Sequence, residues 1–98
     1  MPSHRVSRKA QNDILDIGRH TEKVWGREQR RQYLADLDEK FELIAKNPRL
    51  GIERNDFVPP VRIHHHGRHL IVYVFDESGV LIVRVLHDAM DVPPRLAR

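Results

Sequence analysis

Two near-continuous apolar runs, residues 69–75 and 80–87, separated only by Asp76-Glu77-Ser78-Gly79, limit what this chain can become. Short runs rich in Val, Ile, Leu, Tyr and Phe read as strands, and the four residues between them as a tight antiparallel turn closing on a glycine able to take positive φ. The second run carries Arg84 at its middle and His87 at its end. A guanidinium keeps its proton, so Arg84 in so apolar a strand requires a carboxylate, a backbone carbonyl or a bound partner beside it.

Upstream the period changes. Ser7 stands where an N-cap belongs, ahead of Ala10, Ile14, Ile17, Thr21 and Val24 at steps of three and four, and predicts a first helix ending near Trp25-Gly26. Gly18 within it costs up to about 1 kcal/mol relative to alanine, which points to close approach by a neighbouring element. Tyr33, Leu34, Leu37, Phe41 and Ile44 predict a longer second helix that stops at Asn47-Pro48. With so little chain between them the helices must form an antiparallel αα-hairpin, whose apolar seam needs a third surface.

Residues 49–60 contain Gly51, Asn55, Asp56, Pro59 and Pro60 and show no period, so they read as a long surface loop. Residues 61–66 then form a strand that turns at Gly67 into the first apolar run. The sheet expected is a three-stranded antiparallel meander completed by a short strand at His4. The fold class is therefore α+β: an N-terminal strand and an antiparallel αα-hairpin packed on a small antiparallel sheet, in the order β-α-α-β-β-β, within one domain spanning residues 1–98. After His87, Pro93 and Pro94 prevent a long helix, and a loosely held arm is favoured over a contact segment.

The absence of cysteine removes disulfides, thiolate zinc sites and thiol nucleophiles together. No stretch approaches the roughly 20 apolar residues of a membrane span, and the first residues lack the apolar core of a signal peptide, so a cytoplasmic protein is expected. Lysine and arginine number 17 against 14 acids, a formal charge of +3. Arg27, Arg30 and Arg31 alternate with acids and the other cations are scattered, which suits an acidic protein partner as well as a nucleic acid.

The run His64-His65-His66-Gly67-Arg68-His69 invites a metal reading. On a strand, His64 and His66 share one face and His65 takes the other, and the closest acids are Asp56 and Asp76. An exposed hairpin tip is the better account, and no metal or cofactor is expected. A nuclease reading draws on Arg62, Arg84 and His87, but cleaving RNA by transesterification needs a base, an acid and cations on the phosphate. His87 is the one such group titrating near neutrality, Tyr33 lies within a helix, Tyr73 lies mid-strand, and no lysine follows Lys46. A paired structural arginine and a hydrogen-bonded histidine explain Arg84 and His87 at least as well. There is no glycine-rich phosphate loop and no HExxH pair. The Trp25-Gly26 corner reads more as packing than as recognition.

Several segments, in order, resemble the ParE family of toxins of type II toxin-antitoxin modules, within the RelE/ParE superfamily. They are Val6-Ser7-Arg8-Lys9-Ala10, Trp25-Gly26-Arg27-Glu28-Gln29 with Tyr33-Leu34, Asn47-Pro48-Arg49-Leu50-Gly51, Gly67-Arg68-His69 with Val72-Tyr73, and above all Val83-Arg84-Val85-Leu86-His87 followed by Met90-Asp91. The resemblance implies an αα-hairpin on an antiparallel sheet that poisons DNA gyrase by binding rather than by catalysis. It also implies neutralisation by a ParD-type antitoxin whose C-terminal segment wraps around the toxin. Such a segment, disordered and often acidic when free, would fold onto a groove and meet the mild positive charge here.

Ribonucleases of the superfamily usually carry a tyrosine near the end of the last strand, where this chain has Asp88 after His87. That departure lowers the nuclease reading and leaves no residue assigned to catalysis. Arg62, Tyr73, Arg84 and Trp25 are assigned to antitoxin binding, since an arginine fork binds a carboxylate at two points. His87, Met90, Asp91, Arg95 and Leu96 are assigned to gyrase contact. No membrane and no sequence-specific nucleic acid is expected as partner. The rival functions are a ribosome-dependent mRNA endonuclease and a toxin-like stabilising partner without toxicity.

Overall fold

The computed structural model describes residues 3–87, ordered as β1 (His4–Val6), α1 (Arg8–Trp25), α2 (Arg27–Lys46), β2 (Ile52–Arg54), β3 (Val61–His66), β4 (His69–Asp76) and β5 (Gly79–His87). The five strands form one sheet in the order β1-β5-β4-β3-β2. The α+β class and the αα-hairpin packed on a sheet are as the periodicity predicts.

Local chemistry sets the helix ends. The Ser7 hydroxyl oxygen accepts from Ala10 N at 3.1 Å, capping α1, and its proton goes to the Val83 carbonyl at 2.8 Å, which ties the helix start to β5. Gly26, at φ +95°, both ends α1 and precedes α2, and its N–H donates to Glu22 O at 2.9 Å. A side chain is disfavoured at that φ, so glycine makes the two-helix corner possible. Gly18 serves the close approach its position suggests: a Cβ there would lie 3.1 Å from Arg30 Nε and 3.3 Å from Leu34 Cδ1 of α2.

The strands explain why the apolar runs barely alternate. Toward the helices, Ile71, Tyr73, Val80, Ile82 and Val85 pack with Ala10, Ile17, Leu37, Phe41 and Ile44. On the opposite face Ile63, Leu70, Val72, Val83 and Leu86 pack with Val61 and Phe57. Both faces of the central strands are buried, so neither can be polar.

Two details differ from the sequence reading. β1 runs parallel to β5, pairing His4 with Val80 and Val6 with Ile82, so the sheet is mixed rather than wholly antiparallel. The β3–β4 and β4–β5 pairs are antiparallel as expected. The stretch read as loop also holds β2, which pairs Ile52 with Ile63 and Arg54 with Val61. Three exposed residues carry no readable period, and the open edge of β3 supplies the ladder that makes them a strand. No helix among the described residues is long and apolar enough to cross a membrane.

Candidate functional site

Arg84 finds its carboxylate in Asp13 of α1. Arg84 Nε and Nη2 donate to the two Asp13 oxygens at 2.8 and 3.0 Å, a bidentate pair, and the Val85 N–H donates to Asp13 Oδ2 at 3.0 Å. The β4–β5 register slips between Val72 and Tyr73, leaving Val83 without an opposite residue, and this bulge lies immediately before Arg84. β1 covers β5 only as far as Ile82, so Ser7 and Asp13 take over the exposed backbone groups of Val83 and Val85. The Asp13 hydrogen bond raises the Arg84 pKa above its ordinary value, opposed by burial.

Tyr73 is fully buried. Its hydroxyl donates to Pro48 O and accepts from Gly51 N, each at 2.7 Å, fastening the segment after α2 to the sheet. Burial raises the phenol pKa, against the Gly51 hydrogen bond and the charge of Arg62. Arg62 donates to Gly51 O at 2.7 Å and Arg49 O at 3.2 Å, and its guanidinium lies 5.7 Å from the Phe75 ring centroid. Three of the residues assigned to antitoxin contact are thus engaged within the fold. Tyr73 has no surface to offer a partner, and the Arg84 and Arg62 forks already hold Asp13 and two carbonyls. The signal for Asp13 was present in the sequence, since it stands three residues after Ala10 and four before Ile17, a carboxylate in a core-facing slot.

Trp25 departs from the packing expectation, being 73% exposed at the αα-corner. It lines a cleft of about 480 Å³ with His20, Tyr33, Arg68, His69 and His87. The cleft lies where the helix corner meets the β3–β4 turn and the end of β5. A second hollow of about 360 Å³, reaching Asp13 and Arg84, shares His20, His69 and His87 with it. Trp25 and His87, assigned by sequence to different partners, therefore face one cavity. Met90, Asp91, Arg95 and Leu96 lie outside the described residues.

Tyr33 is the residue that sequence reasoning set aside. Its hydroxyl donates to His66 O at 3.2 Å and lies 2.5 Å from His69 Nδ1. The His69 and His87 rings meet edge-on, 5.5 Å between centroids. Arg68 is on the turn and exposed. His64 and His66 face α2, where burial first and the charge of Lys40 second hold both below the ordinary histidine range. His66 Nε2 is buried with no hydrogen-bond partner among the described residues. No group of three or more His, Asp or Glu among the described residues is arranged to hold a metal.

A third hollow, about 470 Å³, runs along the αα-hairpin between Val6, Ile14, Leu15, Leu34, Leu37 and Phe41. Leu15 is 48% exposed on its rim. Arg8 and Lys9, exposed at the start of α1, form no ion pair among the described residues.

Comparison with known proteins bears on these surfaces. A family model described as "ParE toxin of type II toxin-antitoxin system, parDE" matches residues 5–92. Toxin ParE1 of Caulobacter vibrioides is 33% identical over 96 residues, covering 98% of this chain and 99% of that one. Toxin ParE1 of Mycobacterium tuberculosis is 36% identical over 92 residues, covering 93% of this chain and 94% of its own. A solved chain of the chromosomal ParDE TA system from P. aeruginosa shares the fold with TM-score 0.74 at 22% identity, over 89% of this chain and 96% of that one.

Proposed function

The chain belongs to the ParE toxin family of type II toxin-antitoxin systems, and from that premise we propose that it poisons DNA gyrase and is silenced by a ParD-type antitoxin. Binding rather than bond chemistry is its activity: it holds gyrase on cleaved DNA in the cytoplasm, so that replication meets broken chromosomes. The antitoxin's C-terminal segment lays an amphipathic helix in the groove on the αα-hairpin, its apolar side chains meeting Leu15 and Leu34. That groove is the observation carrying the reading. It is a partly exposed apolar surface beside the side chains, Ala10, Ile17, Leu37, Phe41 and Ile44, that the two helices bury on the sheet, and a surface of that kind supports a docking role.

The direct test is expression with and without the antitoxin. Growth arrest by the chain alone, relieved by co-expression, is the expected outcome. A chain harmless by itself contradicts the toxin reading and favours a stabilising partner.

One observation favours a second reading, cleavage of ribosome-bound message. The contact between Tyr33 and His69, with His87 against His69, supplies a proton donor and acceptor that the sequence set apart. Against it, Arg84 is neutralised by Asp13, and among the described residues the cleft offers Arg68 as its one lining arginine or lysine. Shortened transcripts in cells expressing the chain support this alternative, and gyrase-linked DNA breaks support the first.

A further inference from the structure

We infer that the cleft beneath the αα-corner binds an unpaired strand of DNA, one base lying against the Trp25 indole and the adjoining phosphates meeting Arg68 and the cleft imidazoles. The proposal rests on the gyrase reading for its choice of DNA, since a gyrase poison works beside an opened duplex. The site itself stands on the cleft.

The cleft has the chemistry of a stacking platform. Trp25 is the only tryptophan in the chain, and nearly three-quarters of it faces solvent. An indole left so exposed is unusual for a residue whose main use is burying area. Tyr33, His69 and His87 extend the aromatic lining behind it. Among the described residues no carboxylate lines the cleft, and its ionisable walls are Arg68, three imidazoles and the Tyr33 phenol. Carboxylates nearby in sequence are already engaged: Glu22 with Arg30 at 3.1 Å and Glu28 with Arg31 at 2.7 Å. Lys23 and Arg27, two positions either side of Trp25, are exposed and form no ion pair among the described residues. The cations that alternate with acids in sequence are thus divided by folding into ones held in ion pairs and ones left exposed at the helix corner.

Flat aromatic surfaces with unpaired cations are how single strands are held without sequence preference, each base offering a π-face and each phosphate a charge. An amphipathic peptide has the apolar groove on the αα-hairpin, whereas this cleft, of similar volume, is walled by rings and hydrogen-bond donors.

The lone tryptophan makes the test direct. The full-length chain is titrated with oligothymidylate while Trp25 emission is followed, with no gyrase present, so that failure here is separate from failure of the gyrase reading. The expected result is quenching that weakens as salt rises, with log K falling against log salt by about 0.7 for each phosphate contacted. Arg68→Glu should weaken binding severalfold without changing the melting temperature, since Arg68 is exposed on its turn. Trp25→Ala, followed by anisotropy of a labelled oligonucleotide, should weaken it by on the order of tenfold. Emission unchanged by oligothymidylate, or quenched equally by an acidic tyrosine-containing peptide, overturns the proposal. So does preferential binding and cleavage of oligouridylate, which assigns the cleft to message instead.

Discussion

Asp13 on α1 gathers two guanidinium donors of Arg84 and the amide of Val85 within 3.0 Å, joining the first helix to the last strand across more than 70 residues of sequence. Side-chain exposures of 23% for Arg84 and 15% for Asp13 place the pair between surface and core. There one partner removed leaves the other poorly solvated, with a strand amide unpaired as well.

Asp13→Ala should therefore cost about 2–3 kcal/mol in urea unfolding, the lower range for buried ion pairs because this one retains some solvent. Arg84→Met should cost less, since Asp13 keeps the Val85 amide. The double variant should be more stable than the sum of the singles by at least about 0.5 kcal/mol. Strict additivity would show that the pair does not couple the helix to the strand.

Tyr73→Phe separates structural from recognition roles. Losing the hydroxyl strands the Gly51 N–H and the Pro48 carbonyl, a cost of about 1–3 kcal/mol. Antitoxin affinity, measured by calorimetry well below the melting temperature, should stay within about twofold because the ring is wholly buried. A large affinity loss with unchanged stability would restore Tyr73 as a contact residue.

The groove makes the opposite prediction. Leu15→Glu, at a half-exposed position, should change stability by less than about 0.5 kcal/mol and weaken antitoxin binding at least about tenfold. Unchanged affinity would place the antitoxin elsewhere.

Stability should also depend on pH through His64 and His66. Both face Lys40 from α2; His64 is also influenced by His66 and by the neighbouring His65, and His66 by Asp36, with the Tyr33 ring against it; burial first and Lys40 second lower both pKa values below 6.5. As pH falls through 6.5 the unfolded chain takes up protons that the folded chain refuses, so stability is full above that pH and declines below it. Replacing both with glutamine should flatten the decline in denaturant midpoints measured from pH 7.5 to 5. An equal slope in the variant assigns the decline to other groups.

The sequence carried the local and periodic part of this architecture. Ser7, Gly26 and Asn47 mark the helix ends through chemistry confined to one turn, and Gly79 marks the hairpin by the conformation it permits. What the chain did not disclose depends on partners far away in sequence. β2 exists because β3 has an open edge, and β1 runs parallel to β5 because the αα-hairpin and the whole meander intervene. Arg84 announced that it needed a partner but not that Asp13 would be it. Trp25 looked like core because exposure is decided by what fails to pack on it, and Tyr33 looked remote because helix periodicity says nothing about which turn of the sheet its hydroxyl reaches.

The most direct test of the central claim incubates the purified chain with DNA gyrase, ATP and supercoiled plasmid, then traps covalent gyrase–DNA species with detergent and protease. The account predicts linear plasmid that accumulates with toxin concentration and disappears when the antitoxin is added first. Intact plasmid and normal gyrase turnover at every concentration, together with cut message on translating ribosomes, would contradict it.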